Sequence, residues 1–466
     1  MQTNLQEILI CPICGKKSIQ LDKLQCKTCK SFFFELNGIP CLFPSGIKQL
    51  QLWNHLLAKF IEEGSNITNA LTEELNKHGI SSVTKKRLAA TLNIHNISHD
   101  YLVKTLQQVG LHPKNNSDYK DYSTKVFSKY HQLPLRDWAW FSESAVRFSY
   151  GDLLHDENQL ALNHIIKLLK TVKSKAQVNC RTLVIGAGAG RLSWDIHCLM
   201  QPSMTIAMDF NPLLSYLSKS LIRDKNTIKW HEKIDFPFEQ LPTFHEWQLK
   251  CPETNAELHQ SWIPILADAY AMPFVPHTFD YVVTPWFIDV MSIDCKKLIF
   301  LIDKMLKPSG YWINYGPFLY NEKIPESEKY TSEEIKELLR LSHFQVISEA
   351  TFQTPYSCSP LNKCGRIEQV WGMVAQSPSD RTHMKGQFQS FEPIHSQQPP
   401  PWFVMPHLPI PRLMSTKIIP EALTNIAELI DGTRSINEIA ALLASHLPEG
   451  YNSEDVLYDF LLEYFF

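Results

Sequence analysis

The stretch RTLVIGAGAGRLSWDIHCLM, residues 181–200, constrains the fold more than any other part of the chain. Leu183, Val184 and Ile185 form a short apolar run suited to a buried strand, and an amphipathic helical pattern starts at Arg191. Between them, Gly186, Gly188 and Gly190 let the backbone turn sharply and approach a ligand closely. Taken alone, such a loop also fits a tight structural turn. As a nucleotide site it has two candidate ligands. A dinucleotide loop reads GxGxxG, with its last glycine where the helix starts and the pyrophosphate docks. Arg191 occupies that position here. The GxGxG spacing suits S-adenosylmethionine, a ligand without a pyrophosphate.

The segments downstream arrive in a fixed order. MTIAMDF ends on Asp209, nineteen residues past Gly190, about where an acid accepts hydrogen bonds from ribose hydroxyls. Both ligand classes share that feature. WIPILADAYAMPF then sets Asp268 and Ala269 at a strand end, the place where class I methyltransferases meet the adenine amino group. FDYVVTPWFIDVM reads as a fourth strand entering an active-site loop. CKKLIFLIDKMLKPSGYWINYGP reads as helix, Pro-Ser-Gly turn and strand. Alternating strands and helices predict an α/β fold, here a class I methyltransferase Rossmann-like sheet over residues 131–376. Gly186, Gly188, Gly190, Asp209, Asp268 and Ala269 are the expected S-adenosylmethionine contacts.

Near the N-terminus, Cys11-x2-Cys14 and Cys26-x2-Cys29 stand eleven residues apart. Each CxxC turn aims two thiolates at one point, and two such turns supply the four sulfurs of a tetrahedral zinc site. Some forty residues bury too little apolar surface to fold alone, so the metal would stabilise this module, residues 1–45. Four sulfur ligands leave no open position, which makes the zinc structural. Cys41 is surplus to the set. The remaining cysteines, of eleven in all, follow no pattern, and this usage suits a reducing, cytoplasmic setting. The start MQTNLQEILICPIC lacks the charged and apolar regions of a secretory signal. No run is apolar enough to span a membrane.

Residues 46–130 carry helical patterns, as in IKQLQLWNHLLAKFIEE and HDYLVKTLQQVGL. Residues 377–412 are a linker rich in Pro, Gln and Ser, and 413–466 form a small, largely helical module. In that module Ser435 and Glu438 have capping-box spacing after the turn Asp431-Gly432-Thr433-Arg434. The segment resembles small winged-helix modules that bind precursor peptides, and it also reads simply as a turn between two helices. Formal net charge is −3, which gives no bulk attraction to nucleic acid or an anionic membrane.

LRDWAW at 135–140, VIGAGAGRLSWDI, WFID at 286–289 and LKPSGYWINYGPFLY at 306–320 together resemble the carnosine N-methyltransferase-like family. The helix and strand pattern of TSEEIKELLRLSHFQVISEA fits the same family, so the resemblance covers about residues 125–376. It implies that Arg136 contacts the cofactor from a helix outside the sheet. It also implies that Asp289 binds the imidazole of a histidine-containing acceptor and that Trp286 stands in an aromatic position beside it. A surface ion pair for Arg136, a helix cap for Asp289 and a core position for Trp286 are the plainer alternatives. The sequence departs from the family at two places. Asn321 replaces a substrate-contacting histidine, and CGRIEQVWGMVA lacks the family's adjacent tyrosines. The acceptor is therefore open among an imidazole-containing small molecule, peptide or protein. Two other functions compete with this one: methylation of RNA or ribosomes, and a non-catalytic peptide-binding scaffold.

Overall fold

The apolar runs at 183–185, 204–208, 262–266 and 279–285 become neighbouring strands of one sheet. The computed structural model describes residues 2–44, 46–113, 145–151, 156–170, 172, 179–234, 241, 243–252, 258–290, 295–320, 324, 326–358, 365–380, 410, 423–446, 453, 456, 457, 460 and 461. They belong to two compact units. One comprises Met1–Lys114 with Pro134–Phe391, and the other Asn115–Leu133 with Glu392–Phe466.

In chain order the strands of the first unit are β1 (Ile19–Gln20), β2 (Gln25–Cys26), β3 (Phe34–Leu36), β4 (Ile39–Cys41), β5 (Arg181–Ile185), β6 (Met204–Asp209), β7 (Ile228–Ile234), β8 (Thr243–Leu249), β9 (Trp262–Leu266), β10 (Phe279–Pro285), β11 (Leu306–Gly316), β12 (Gln345–Tyr356) and β13 (Arg366–Gln376). Nine of them form a sheet in the order β12-β13-β11-β10-β5-β6-β9-β4-β3. β11, β10, β5, β6 and β9 run parallel, and β13 lies antiparallel between β11 and β12. This is the sheet of a class I methyltransferase. Its order reverses between β5 and β10, and in open α/β sheets ligands bind at such a switch, beyond the carboxyl ends of the strands.

Parallel central strands are covered on both faces, so both faces are apolar. Leu183 and Ile185 enter one hydrophobic cluster with Ile206, Ile265, Val282 and Trp312. Val184 points to the other, with Ile165, Ile196, Val283 and Ile313. The Pro-Ser-Gly motif is not a turn ahead of the strand. It bulges within β11, where the step from Leu306 to Tyr311 lies opposite the step from Phe279 to Tyr281. Ser309 takes a positive φ of 61° there, as bulges often demand.

Residues 2–44 attach to the far edge of this sheet. Cys41 of β4 pairs with Leu266 of β9, and the Leu42 N–H donates to the Leu266 carbonyl at 2.8 Å. On another side the Ile10 N–H donates to Pro273 O at 3.0 Å, and the Val275 N–H donates to Ile8 O at 2.8 Å. The helical patterns give two long helices, Gly46–Asn76 and Ser82–Val109. The second is capped by Ser81, whose side chain accepts from the Thr84 N–H, and it closes on Gly110 at φ 106°.

An antiparallel hairpin, β7–β8, stands outside the sheet between β6 and β9 in sequence. Its buried Glu232 pairs with Arg147 at 2.6 Å and accepts from Trp247 Nε1 at 2.8 Å. Tyr101 donates to Lys229 O, tying the second long helix to this hairpin.

In the second unit, Ser435 caps the helix Ile436–Ala444 in a capping box with Glu438. Asp431 accepts from the Thr433 N–H at 2.9 Å and makes an ion pair with Arg434. Ile410, Ile426, Ile436, Ile439, Leu457 and Leu461 form its core. No helix among the described residues is long and apolar enough to cross a membrane.

Candidate active site

The carboxyl ends of β5, β6 and β9 bring the expected cofactor residues together. Gly186 and Ala187 donate to Met208 O at 2.9 and 3.1 Å, so the glycine loop hangs on the end of β6. Asp209 accepts from the Gly188 N–H at 2.7 Å and from the Asn211 N–H at 2.7 Å. Burial raises the Asp209 pKa, against those bonds. The Ala267 N–H donates to Asp209 O at 3.1 Å, linking this acid to the next strand end. There Asp268 caps the short turn Ala269–Ala271, accepting from the Tyr270 N–H at 2.8 Å.

The glycines are not equivalent. A Cβ on Gly186 would stand 2.8 Å from Phe287, so this residue is needed for a close packing contact. A Cβ on Gly188 would meet nothing within 4 Å. The open ground of the loop is thus above Gly188, beside Asp209. Acids at two successive strand ends and free space over the glycine backbone give a site that fits S-adenosylmethionine. Arg136 lies outside the described residues.

Phe287, which packs on Gly186, belongs to the same loop as Trp286 and Asp289. That loop leaves β10 and packs on Gly186 through Phe287. Trp286 has φ 47°, and its N–H donates to Tyr315 O at 2.7 Å. Its ring packs against Phe148, Tyr315 and Tyr356, with centroids 4.6, 5.0 and 5.8 Å away. Its indole N–H is committed to Glu368 Oε2 at 2.8 Å. Trp286 is therefore packed among aromatic rings, with its indole donor committed inside the protein.

Asp289 is 5% exposed. Its Oδ2 accepts from the Leu319 N–H at 2.9 Å, bridging to the loop after β11. Its Oδ1 is shielded from solvent and has no hydrogen-bond partner among the described residues. Burial is the main cause that lifts its pKa to about 6, and Glu368 adds to the rise, while the backbone N–H groups of Leu319 and of Asp289 itself, and the Arg366 charge, oppose it. A buried carboxylate oxygen without a donor is costly, which makes it a place where an incoming N–H is favoured. Asn321 lies outside the described residues.

Several residues around this point carried no sequence signal. Tyr356 and Arg366 face each other across the β12–β13 pair, and the Arg366 guanidinium lies 4.8 Å from the Tyr356 ring centre. Glu368 is buried beside them. Phe148 reaches Trp286 from a helical turn at 145–150. Only the strand register, unknown beforehand, unites them.

At the N-terminus, Cys11, Cys14, Cys26 and Cys29 place their sulfurs within 4.8 Å of one another. The pairs Cys11–Cys29 and Cys14–Cys26 are 3.6 and 3.7 Å apart. Four sulfurs about 2.3 Å from a central zinc have tetrahedral edges of about 3.8 Å. The donor set fits that ion. Cys41 stands apart, buried, with its thiol on Ile39 O.

Residues 247–364 match the family model for carnosine N-methyltransferase. Over that stretch the chain is similar to carnosine N-methyltransferases. A carnosine N-methyltransferase of Dictyostelium discoideum is 29% identical over 188 residues, covering 37% of this chain and 39% of that protein. The chain thus spans about two fifths of the length of this curated relative. A solved SAM-dependent methyltransferase from Methanosarcina mazei aligns at 15% identity, covering 44% of this chain and 95% of that one, with a TM-score of 0.30. One from Aquifex aeolicus aligns at 11%, covering 53% and 99%, with a TM-score of 0.31. The family match contains Asp268, Ala269, Trp286, Asp289 and Asn321. The glycine loop, Asp209 and the Arg366–Glu368 pair lie outside it.

Proposed function

We propose that the first unit is an S-adenosylmethionine-dependent N-methyltransferase that methylates an imidazole nitrogen of a histidine-containing acceptor. The observation that carries this reading is the donorless, buried Oδ1 of Asp289, on the loop packed against the glycine loop through Phe287. The bound cofactor supplies a methyl group on a sulfonium. The chain's own residues then have to position the acceptor, because in-line transfer is mostly a matter of placement.

A neutral imidazole has one nitrogen bearing hydrogen and one with a free lone pair. Asp289 Oδ1 accepts the N–H, which selects one tautomer and leaves the other nitrogen to attack. As that nitrogen gains the methyl group the ring becomes cationic, and the same carboxylate stabilises it. Trp286, fixed by Glu368, offers an aromatic face to a cation. Asp209 and Asp268 are proposed to take the ribose and adenine, and Arg136 to contact the cofactor. The four cysteines hold a structural zinc with no part in the transfer. In this reading the second unit, with its capped turn at Asp431–Ser435, receives the peptide portion of a larger acceptor. The cysteine usage supports a reducing, cytoplasmic setting for the enzyme.

The test is methyl transfer from labelled cofactor to a set of histidine-containing compounds, with products identified by mass spectrometry. Asp289→Asn should bind the cofactor normally and lose turnover by about 10²–10⁴-fold. Full turnover in that variant would remove Asp289 from the reading.

A further inference from the structure

Between Cys11 and Phe34 the four-cysteine module carries five lysines, Lys16, Lys17, Lys23, Lys27 and Lys30, against a single acid, Asp22. All five lysines are exposed. The whole chain has the opposite sign, with a formal net charge of −3, so this is a local field. Four thiolates around a zinc ion leave two negative charges, and some of these cations offset them. That balance does not account for the ring that stands among them.

Phe32 is 64% exposed. The next two aromatics have packing partners: Phe33 is buried in the cluster under the sheet, and Phe34 meets Trp53 edge-on at 6.3 Å. The backbone fixes where Phe32 sits. β1 and β2 pair Ile19 with Cys26 and Gln20 with Gln25, and Gln25 in turn bridges antiparallel to Phe32. Residues directly opposite each other share a face. Gln20, Gln25 and Phe32 therefore form one row across three segments, while Ile19 and Cys26 lie on the other, buried face. Three of the lysines are tied to this row. The Lys23 N–H donates to Gln20 O at 3.3 Å, the Lys27 N–H donates to Ser18 O at 2.8 Å, and Lys30 O accepts from Gln25 Nε2 at 3.2 Å.

The outer face thus combines one open aromatic ring, two side-chain amides and a surround of cations. An aromatic ring stacks on any unpaired base, amides bond base edges, and lysines take phosphates. A duplex hides the faces of its bases, and an acidic peptide leaves the ring without a partner. We propose that this face of the four-cysteine module binds single-stranded nucleic acid, with a base stacked on Phe32 and the backbone phosphates on Lys23, Lys27 and Lys30. The proposal does not depend on the imidazole reading of the Asp289 site.

The test is fluorescence anisotropy of the full-length, zinc-loaded protein with a labelled mixed-sequence oligonucleotide, as single-stranded RNA, as single-stranded DNA and as duplex, and with a polyglutamate peptide. Zinc content and calorimetric cofactor binding report that each variant is folded. Wild type should prefer single strands to duplex, and the stronger of the RNA and DNA arms names the polymer. Phe32→Ala should weaken single-strand binding about tenfold or more, and Phe32→Trp should restore it. Lys27→Gln with Lys30→Gln should make the log–log salt dependence shallower by about 1.4, as expected for two lost phosphate contacts. Equal affinity for duplex and single strand, or an unchanged affinity in Phe32→Ala, would overturn the proposal. So would polyglutamate binding as tightly as the oligonucleotide, which would make the lysines a general surface for acidic peptides. If no oligonucleotide binds and Phe32→Ala instead lowers the mass of the protein in sedimentation, a second copy covers the ring and the proposal fails.

Discussion

Asp289 is expensive to the fold. Its carboxyl is held at about 6, above its ordinary 3.8, chiefly by burial. The native state therefore binds this proton more tightly than the unfolded chain does, and stability from this group is present at low pH and lost as pH rises from about 4 through about 6. At pH 7 the ionised group costs on the order of 2–3 kcal/mol. Asp289→Asn keeps an oxygen for the Leu319 N–H and removes the charge. It should be more stable than wild type by about 1–3 kcal/mol at pH 7 and equal to it near pH 4, in urea melts at both values. Activity has the opposite sign. In the proposed reaction the acceptor N–H is held by the carboxylate, so kcat/KM should rise with pH through about 6. The acceptor ring also loses a proton near 6.5, and the wild-type limb should be steeper than that of Asp289→Asn. A variant less stable at pH 7 would contradict this account. Two glycines offer a paired comparison at the same scale. Gly190→Ala puts a Cβ 2.5 Å from Ser218 Cβ at φ 87° and should cost about 2–4 kcal/mol in thermal melts. Gly188→Ala meets no protein atom, so at φ 57° it should cost only about 1–2 kcal/mol. Its main effect should be loss of cofactor affinity by calorimetry.

At the scale of elements, what the sequence disclosed depended on whether the defining contacts are local. Leu183–Ile185 and its neighbours were legible because central parallel strands are apolar on both faces. The capping box at Ser435 and Glu438 was legible because it is built from residues three apart. The hairpin β7–β8 was not. TIKWHEKI mixes charges and aromatics, and its buried Glu232 is satisfied by Arg147, far away in the chain. Arg366 and Glu368 were invisible for the same reason, since their meaning arises from the pairing of Tyr356 with Arg366. The Arg147 junction deserves a direct measurement. Arg147 also donates to Ser357 Oγ at 2.9 Å, and Glu157 accepts from the N–H groups of Ser357 and Cys358 at 2.6 and 2.7 Å. These bonds hold the end of β12 directly after Tyr356. Arg147→Met should leave Glu232 buried without its cation and cost about 3–5 kcal/mol. Adding Glu232→Gln should recover part of that loss. A double variant as unstable as the sum of the singles would mean that the pair is not coupled.

At the scale of the whole first unit, the four-cysteine module is joined to the segment that carries the proposed adenine contact, Asp268. Two sets of bonds make this joint. β4 and Leu42 hold the end of β9 at Leu266, two residues before Asp268. Ile8 and Ile10 hold Pro273 and Val275 just after the turn that Asp268 caps. The first 44 residues are too few to bury a core of their own and pack Leu5, Ile8, Leu9 and Leu42 into the cluster under the sheet, and a structural zinc contributes on the order of 10 kcal/mol to such modules. That is comparable to the whole stability of a domain. Removing the metal should therefore act at a distance. Chelation, or Cys26→Ser, is expected to loosen β3–β4 and the 8–10 segment, to raise amide exchange across 262–275, and to weaken cofactor binding about tenfold or more, a loss of about 1.4 kcal/mol. Exchange across β10 and β11, on the far side of the switch point, should change least. Calorimetry and hydrogen exchange on the zinc-loaded and stripped protein decide the matter. An unchanged cofactor affinity in the stripped protein would show that the Asp268 turn stands without its metal-bound neighbour.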